Sequence, residues 1–365
     1  MEELEEIKTF KNLEDNIISK NICCACGACV AYCESQSFDI IEMENYIPQF
    51  KTNKTSEDCR ECGFCYYICP QTDSLIDKIN GVHLVKDKIG YVSDVLAAKT
   101  KDQKIKEIGQ DGGIVSTILA YLFENGRIEA AVVSEFDEGF KPVPKIIYDK
   151  EEIIKSAGTR YSVSPNILPL KDLYSIAEDI IQTRKNIYDV DQLRVAFIGT
   201  PCQCRAISKM RLLNVKPSHV IDFVISLFCF ENFDYEKLMD ILYKKINIKA
   251  SNIKKVQIKK NMFVTSKDGK EFEVNIKDLD EAVRKNCLEC DEFVGKYSDL
   301  SIGASGAPTG YSIIVIRTDK GKTLMHSLIA DGYIEKYKIP PNLITEWKPK
   351  KLNWFRKMTS LKIKK

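Results

Sequence analysis

The chain has 365 residues, 44% of them hydrophobic and 29% charged, with a formal net charge of +2. This is the make-up of an ordinary soluble protein without a global bias towards nucleic acid, and no apolar run approaches transmembrane length. The acidic start MEELEEI is unlike a signal peptide, and 3 histidines are too few for a His-rich metal site.

Nine of the 14 cysteines fall between residues 23 and 69, in two copies of one spacing. Cys23, Cys26, Cys29 and Cys33 give C-x2-C-x2-C-x3-C, and Cys59, Cys62, Cys65 and Cys69 repeat it before Pro70. This is the ligand run of a bacterial-type ferredoxin with two [4Fe–4S] clusters, in which the fourth cysteine of each run serves the other cluster. Cluster one is therefore expected on Cys23, Cys26, Cys29 and Cys69, and cluster two on Cys59, Cys62, Cys65 and Cys33. Structural zinc typically takes two C-x2-C pairs, often with His, and disulfide frameworks belong to short secreted chains, so neither suits these runs. Cys24 fits no ligand pattern and reads as a spare thiol; Glu34 stands where the first run would often carry proline. Reduced, cluster-bearing cysteines predict a cytoplasmic setting. Residues 1–80 are expected to form the ferredoxin-like module, and 81–365 are long enough to bury a core of their own.

After a connector, VLAAKT at 95–100 reads as a strand on an apolar edge. Gly109-Gln110-Asp111-Gly112-Gly113 then precedes a helical pattern through Ser116 to a stop at Gly126. EAAVVS at 129–134, RVAFIG at 194–199, VIDFVISLF at 220–228 and YSIIVIRT at 311–318 read as strands, with Cys202 opening a helix after Thr200-Pro201. Alternation around Asp268-Gly269 signals a hairpin. Strands mixed with helices predict an α+β protein: the two-cluster module fused to, and packed directly on, a larger mixed α/β domain.

Uncapped glycine turns at helix starts suit anions, because free N–H groups and the helix dipole point outwards there. GQDGG at 109–113 is one such turn. Gly158-Thr159-Arg160-Tyr161-Ser162, Gly199-Thr200-Pro201 and the turn from Gly306 to Gly310 are further small-residue turns. None matches a dinucleotide-binding or P-loop pattern. Four of them beside iron–sulfur clusters suggest a flavin, which takes electrons in pairs and releases them singly. Cys202, Cys204, Cys229, Cys287 and Cys290 remain, and spacing alone leaves a third metal site open.

The segments GQDGGIVSTIL, AGTRYS, AFIGTPCQCRAI, LFCFEN and CLECDEFVGKYSDLSIGASGAPTGYS resemble the family of coenzyme F420 hydrogenase/dehydrogenase beta subunits, in the family's order. The resemblance implies FAD, hydride exchange with the deazaflavin F420, and a third [4Fe–4S] cluster on Cys202, Cys229, Cys287 and Cys290, with Cys204 spare or in place of Cys202. The fused module is most like the F420H2 dehydrogenase branch. A redox partner subunit is implied, such as belongs to F420H2 dehydrogenase, formate dehydrogenase or hydrogenase complexes. No protein nucleophile is expected, since the family's chemistry is positioning and electrostatics.

Anionic F420 would need cations, for which Arg160, Arg205, Lys209 and Arg211 are candidates. The basic stretch from Lys348 to Lys365, with Trp354, Phe355 and Leu361 interleaved, reads either as a solubilising tail or as a surface for an acidic partner or the inner face of a membrane. Alternative functions are a family enzyme with another hydride substrate, or a ferredoxin-like relay without flavin chemistry.

Overall fold

The computed structural model describes residues 7–184 and 186–363. The acidic MEELEE and the last two lysines of the basic stretch lie outside the described residues.

The N-terminal lobe shows its internal repeat in the backbone. Helix α1 (Ala28–Ser35) opens on Gly27 and helix α2 (Phe64–Tyr67) on Gly63, both glycines left-handed. One position before Cys26 and Cys62, Ala25 and Glu61 are also left-handed, so each C-x2-C curls the same way. Between the runs lies the hairpin β1 (Ile41–Glu44) and β2 (Ile47–Phe50), and helix α3 (Ile76–Val82) leads out of the lobe.

The remainder is organised on an eight-stranded sheet. In chain order come β3 (Asp94–Thr100), helix α4 (Ile114–Glu124), β4 (Ala130–Phe136), β5 (Pro142–Ile147) and helix α5 (Leu173–Thr183). Then follow β6 (Val195–Gly199), helix α6 (Pro201–Leu212), β7 (Ile221–Leu227) and helix α7 (Tyr235–Ile246). Strands β8 (Ile253–Ile258), β9 (Met262–Ser266) and β10 (Glu271–Val274) make a separate antiparallel sheet. Strands β11 (Leu300–Gly303), β12 (Ser312–Ile316) and β13 (Ile334–Lys336), with helices α8 (Asp319–Ala330) and α9 (Ile344–Ile363), complete the chain.

The large sheet runs β13-β3-β12-β11-β7-β6-β4-β5. Strands β4, β6, β7 and β11 are parallel neighbours. Two antiparallel pairings, β11 with β12 and β12 with β3, turn β3 back to the same direction. The carboxyl ends of five strands therefore share one edge. β3 is second from the end of the sheet, with β13 outside it, rather than an edge strand.

Period-2 alternation loads both faces of the sheet. Ala196, Ile198, Phe223 and Ile225 pack with α4 and α8 on one side. Val195, Phe197, Ile221 and Val224 pack on the other with α5 and α6. The latter core continues into Cys24, Cys26, Ala28, Ala31, Tyr32 and Ile68, so the lobe and the sheet share one apolar interior. Gly27 is required at this junction, because a Cβ there would stand 2.7 Å from the Leu168 nitrogen. The basic C-terminal stretch is an ordered helix rather than a loose tail, and it leaves Lys350, Trp354, Lys357 and Leu361 exposed. It lies in α9, which buries Trp347 and Phe355 against Val95, Ala97, Ile313 and Val315.

Candidate functional site

The lobe's thiols act electrostatically on one another both within and between the two expected sets. Burial pushes the Cys29 thiol up, and Cys23, Cys65 and Cys69 push it further, in that order. Burial, with Cys23 beside it, pushes Cys69 up to about 12. Cys26 feels Cys69 and Cys29. Cys23, Cys26, Cys29 and Cys69 also line one small apolar cavity, walled otherwise by residues such as Leu13, Ile17 and Met43. In the second set, burial raises Cys65, followed by Cys62, Cys59 and Cys33.

The large domain assembles a third set at the shared strand edge. Cys202 follows β6 on the first turn of α6, Cys229 follows β7, and Cys287 and Cys290 precede β11. Burial raises Cys229 most; Lys362 opposes that shift, while Cys287, Cys202 and Cys290 add to it. Cys287 is pushed up to about 11 by burial, with Lys362 again lowering it. Cys204 is fully buried with its sulfur 3.9 Å from the Gly199 carbonyl, turned into the core, so the geometry favours Cys202 as the member of this set.

Cys24 is not an idle thiol. It lies within hydrogen-bonding reach of Cys202 and of Cys26, between the third and first sets. Cys23 also feels Cys202, and Cys29 feels Cys65 of the second set. The sets therefore stand in the order third, first, second. Among the described residues no group of three or more His, Cys, Asp or Glu side chains is arranged to hold a metal ion. Thiols around a four-iron cube stand further apart than ligands around one ion. Desolvated thiols at such depth ionise only against a strong positive charge, which an iron core supplies; the grouping and burial fit such cores.

The glycine turns have structural duties of their own. A Cβ on Gly112 would stand 2.5 Å from both the Ala98 carbonyl oxygen and the Ser312 nitrogen, so β3 and β12 already fill the space beside it. Gly113 is the left-handed N-cap of α4, and no side chain caps that helix. Gln110 ties GQDGG to the next turn: its Oε1 accepts from the Thr159 amide at 3.2 Å and its Nε2 donates to the Tyr161 hydroxyl at 3.3 Å. Tyr161 Oη in turn accepts from the Ile258 amide at 2.8 Å, which brings in β8. Ser162 is buried in a bridge to Phe233.

At the β6 turn, the Thr200 amide donates to Gln203 Oε1 at 2.9 Å, and its hydroxyl lies 3.2 Å from Cys202 Sγ. Gly199 and Pro201 flank it, and Pro201 begins α6. Gly306 faces the Trp354 ring, 2.9 Å from where its Cβ would be, so α9 covers that side of its turn. Ser116 lies in the first turn of α4. Buried Ser164 Oγ, Asn166 Oδ1 and Asn232 Oδ1 have no partner where the segment after Tyr161 meets the ends of β6 and β7. Orphaned buried side-chain oxygens fit a polar ligand there. Nothing in their spacing marked these three residues in the sequence.

Three of the four expected F420 cations, Arg160, Arg205 and Lys209, are engaged within the protein. Arg160 folds back on its own turn, donating to the carbonyls of Ala157 at 2.6 Å and Gly158 at 2.8 Å. Arg205 joins the lobe to the sheet domain, with Asp291 at 2.7 Å, Glu292 at 3.1 Å and the Pro70 carbonyl at 3.3 Å. Lys209 is fully buried against the lobe, and burial lowers its ammonium to about 8. Arg211 is exposed on the last turn of α6. Cations do approach the GQDGG turn from β8. Asp111 is raised by burial, and Lys255 and Lys259 pull it back down. Those lysines line a shallow groove with Gln257, Phe263, Thr265 and Glu271 on the small sheet.

A large mixed sheet with a cysteine-rich lobe packed on it defines a mixed α+β architecture. It is similar to a chain of the F420-reducing [NiFe] hydrogenase complex from Methanosarcina barkeri, at a TM-score of 0.65 and 29% identity over 77% of this chain and 92% of that one. Residues 95–171 and 192–342 match the family models for the N-terminal and C-terminal parts of the coenzyme F420 hydrogenase/dehydrogenase beta subunit. The beta subunit of the coenzyme F420 hydrogenase of Methanosarcina barkeri is 32% identical over 76% of this chain and 90% of its own. One of the subunits of the F420H2 dehydrogenase of Methanosarcina mazei is 29% identical over 84% of this chain and 82% of its own. The chain belongs to the family of coenzyme F420 hydrogenase/dehydrogenase beta subunits, which are F420-related oxidoreductase components. No helix among the described residues is long and apolar enough to cross a membrane.

Proposed function

We propose that this protein is the F420H2-oxidising subunit of a larger redox complex, holding FAD and three [4Fe–4S] clusters and delivering electrons singly to a partner subunit. The observation that supports this most is the junction of the GQDGG and GTRYS turns with the third thiol set on one strand edge, continued by the other two sets into the lobe. A bound flavin would supply the exchange between paired and single electrons, and the cubanes would supply single-electron storage.

The residues divide the work. The α4 start and the Gln110–Tyr161 link form the cradle for the flavin diphosphate, with Thr159 and Ser162 holding the second turn against it. Lys255 and Lys259 face incoming substrate from β8 and give the anionic tail of F420H2 its cationic contacts, a role the sequence had suggested for Arg160 and Arg205. Cys202, Cys229, Cys287 and Cys290 would hold the cluster nearest this cradle, and Cys24 fills the gap to the lobe. Apolar walls around Cys23, Cys26, Cys29 and Cys69 keep water from the first set. The site needs no protein nucleophile, because hydride exchange between stacked rings depends on orientation and water exclusion.

A stopped-flow mix of the anaerobically purified, flavin-loaded chain with F420H2 tests this reading. Rapid bleaching with F420H2 and none with NADH is expected. Bleaching by NADH alone would move the chain to a family enzyme with another hydride substrate, and a chain that binds no flavin would leave only an electron relay.

A further inference from the structure

Two lysines are buried where no carboxylate meets them. Lys209 on α6 is 0% exposed, and its Nζ donates to the Cys69 carbonyl at 2.6 Å, the Thr72 carbonyl at 2.8 Å and Thr72 Oγ1 at 3.3 Å. Lys362 on α9 is 2% exposed, and its Nζ donates to the Cys229 carbonyl at 2.9 Å and the Glu292 carbonyl at 2.6 Å. All of these acceptors are neutral oxygens. An ammonium taken out of water costs several kcal/mol unless an anion offsets it. Each of these ammonium groups is hydrogen-bonded to the main chain of a cysteine from a different thiol set.

Four thiolates around a four-iron core leave the cube negatively charged, and reduction adds one more negative charge. A fixed positive charge at the cube's edge therefore stabilises the reduced form more than the oxidised form. We propose that Lys209 and Lys362 are the built-in counter-charges of the first and third clusters, setting their reduction potentials. This inference rests on the reading that those thiol sets carry clusters.

The second set is treated differently. Lys51, in the same lobe, is already paired with Glu34 at 2.7 Å and with Asp39. Among the described residues no buried lysine donates to the main chain of a second-set cysteine, so the two clusters nearer the flavin cradle are favoured as electron acceptors. Lys362 lies on α9, beyond residue 342, where the family match stops. Sequence reading missed it because Lys362 sits in a run of lysines whose pattern looks wholly solvated.

The test is a dithionite titration of the reconstituted full-length chain, followed by electron paramagnetic resonance, on wild type, Lys362→Gln, Lys362→Arg and Lys209→Gln. Glutamine keeps an N–H donor and removes the charge; arginine keeps the charge. Lys362→Gln should lower the midpoint of one signal only, the one that Cys290→Ser abolishes. The expected loss is about tenfold in the one-electron equilibrium constant, or 59 mV. Lys209→Gln should do the same to the signal that Cys26→Ser abolishes, and Lys362→Arg should recover most of the shift. Loss of one cluster's iron in Lys362→Gln, restored in Lys362→Arg, would support the same role. Unchanged midpoints in both glutamine variants overturn the proposal, as does a Lys362→Arg midpoint as low as that of Lys362→Gln. Wild type with only two clusters' worth of iron would instead overturn the third-cluster reading, leaving the Lys209 arm to be decided by its own midpoint.

Discussion

In the N-terminal lobe, the candidate ligand thiols come from two short runs of one spacing. In the sheet domain, the third set draws on the ends of β6 and β7 and on the segment before β11. The lobe thus encodes its site in spacing, through left-handed residues at Ala25, Gly27, Glu61 and Gly63 that curl each run. The sheet domain encodes its site in topology, because only same-direction strands bring those residues to one edge. The lobe's sites should therefore survive damage that abolishes the third.

The largest effect should come from crowding the strand edge. Gly112→Val places side-chain atoms against the backbone of β3 and β12, at Cβ distances of 2.5 Å. A destabilisation of about 3 kcal/mol or more is expected, with flavin lost and the lobe's iron retained. Urea unfolding and iron content measure the two halves of that statement. Gly113→Val is a poor probe of flavin contact, since its left-handed backbone alone would strain a β-branched residue.

Next in size is the separation of clusters. Cys290→Ser should remove one third of the iron, about four of twelve, and leave the lobe's two signals unchanged. Cys62→Ser should remove the second cluster and leave flavin and the third untouched. Iron assays in which either variant loses all three clusters would contradict the division.

A smaller effect is expected in substrate recognition. The double variant Lys255→Gln/Lys259→Gln should raise KM for F420H2 about tenfold, roughly 1.4 kcal/mol, and leave flavin content and kcat near wild type. A tailless deazaflavin should show no such penalty. Equal KM values for both proteins would remove β8 from the substrate path.

The smallest is a pH effect at the junction of α3 and α6. His83 lies 2.8 Å from Ser208 Oγ, and burial lowers its imidazole to about 4 from an ordinary 6.5. Its neutral form is the one folded into place. Its stabilising contribution is therefore complete above pH 6.5 and declines as pH falls from 6.5 towards 4, where the unfolded chain gains the proton first. Urea midpoints at pH 7 and pH 5.5 should differ less in His83→Gln than in wild type; an equal difference in both would clear His83 of this role.

What the sequence disclosed follows the same division. The two cysteine runs, the buried strands and the Asp268-Gly269 hairpin were legible because each is a local pattern. The packing of the C-terminal helix was not legible, since lysines that cap carbonyls or cover apolar surface look the same in sequence as solvated ones. Cys24 passed as spare because its neighbour Cys202 lies far away in the chain. Ser164, Asn166 and Asn232 carry no signature until the fold leaves their side chains unpartnered. Gly112 and Gly306 were read only as parts of ligand-binding turns, and their packing against the backbone of β3 and β12 and against Trp354 was not legible.

The central claim is that the sheet-edge site works as a unit upstream of the lobe. A stopped-flow comparison of wild type with Cys26→Ser/Cys62→Ser, mixed with F420H2 and then with the partner subunit, tests it most directly. Flavin bleaching at the wild-type rate, with transfer to the partner abolished, is the predicted result. Transfer at the wild-type rate in the double variant would contradict the account, because the lobe would then stand off the electron path.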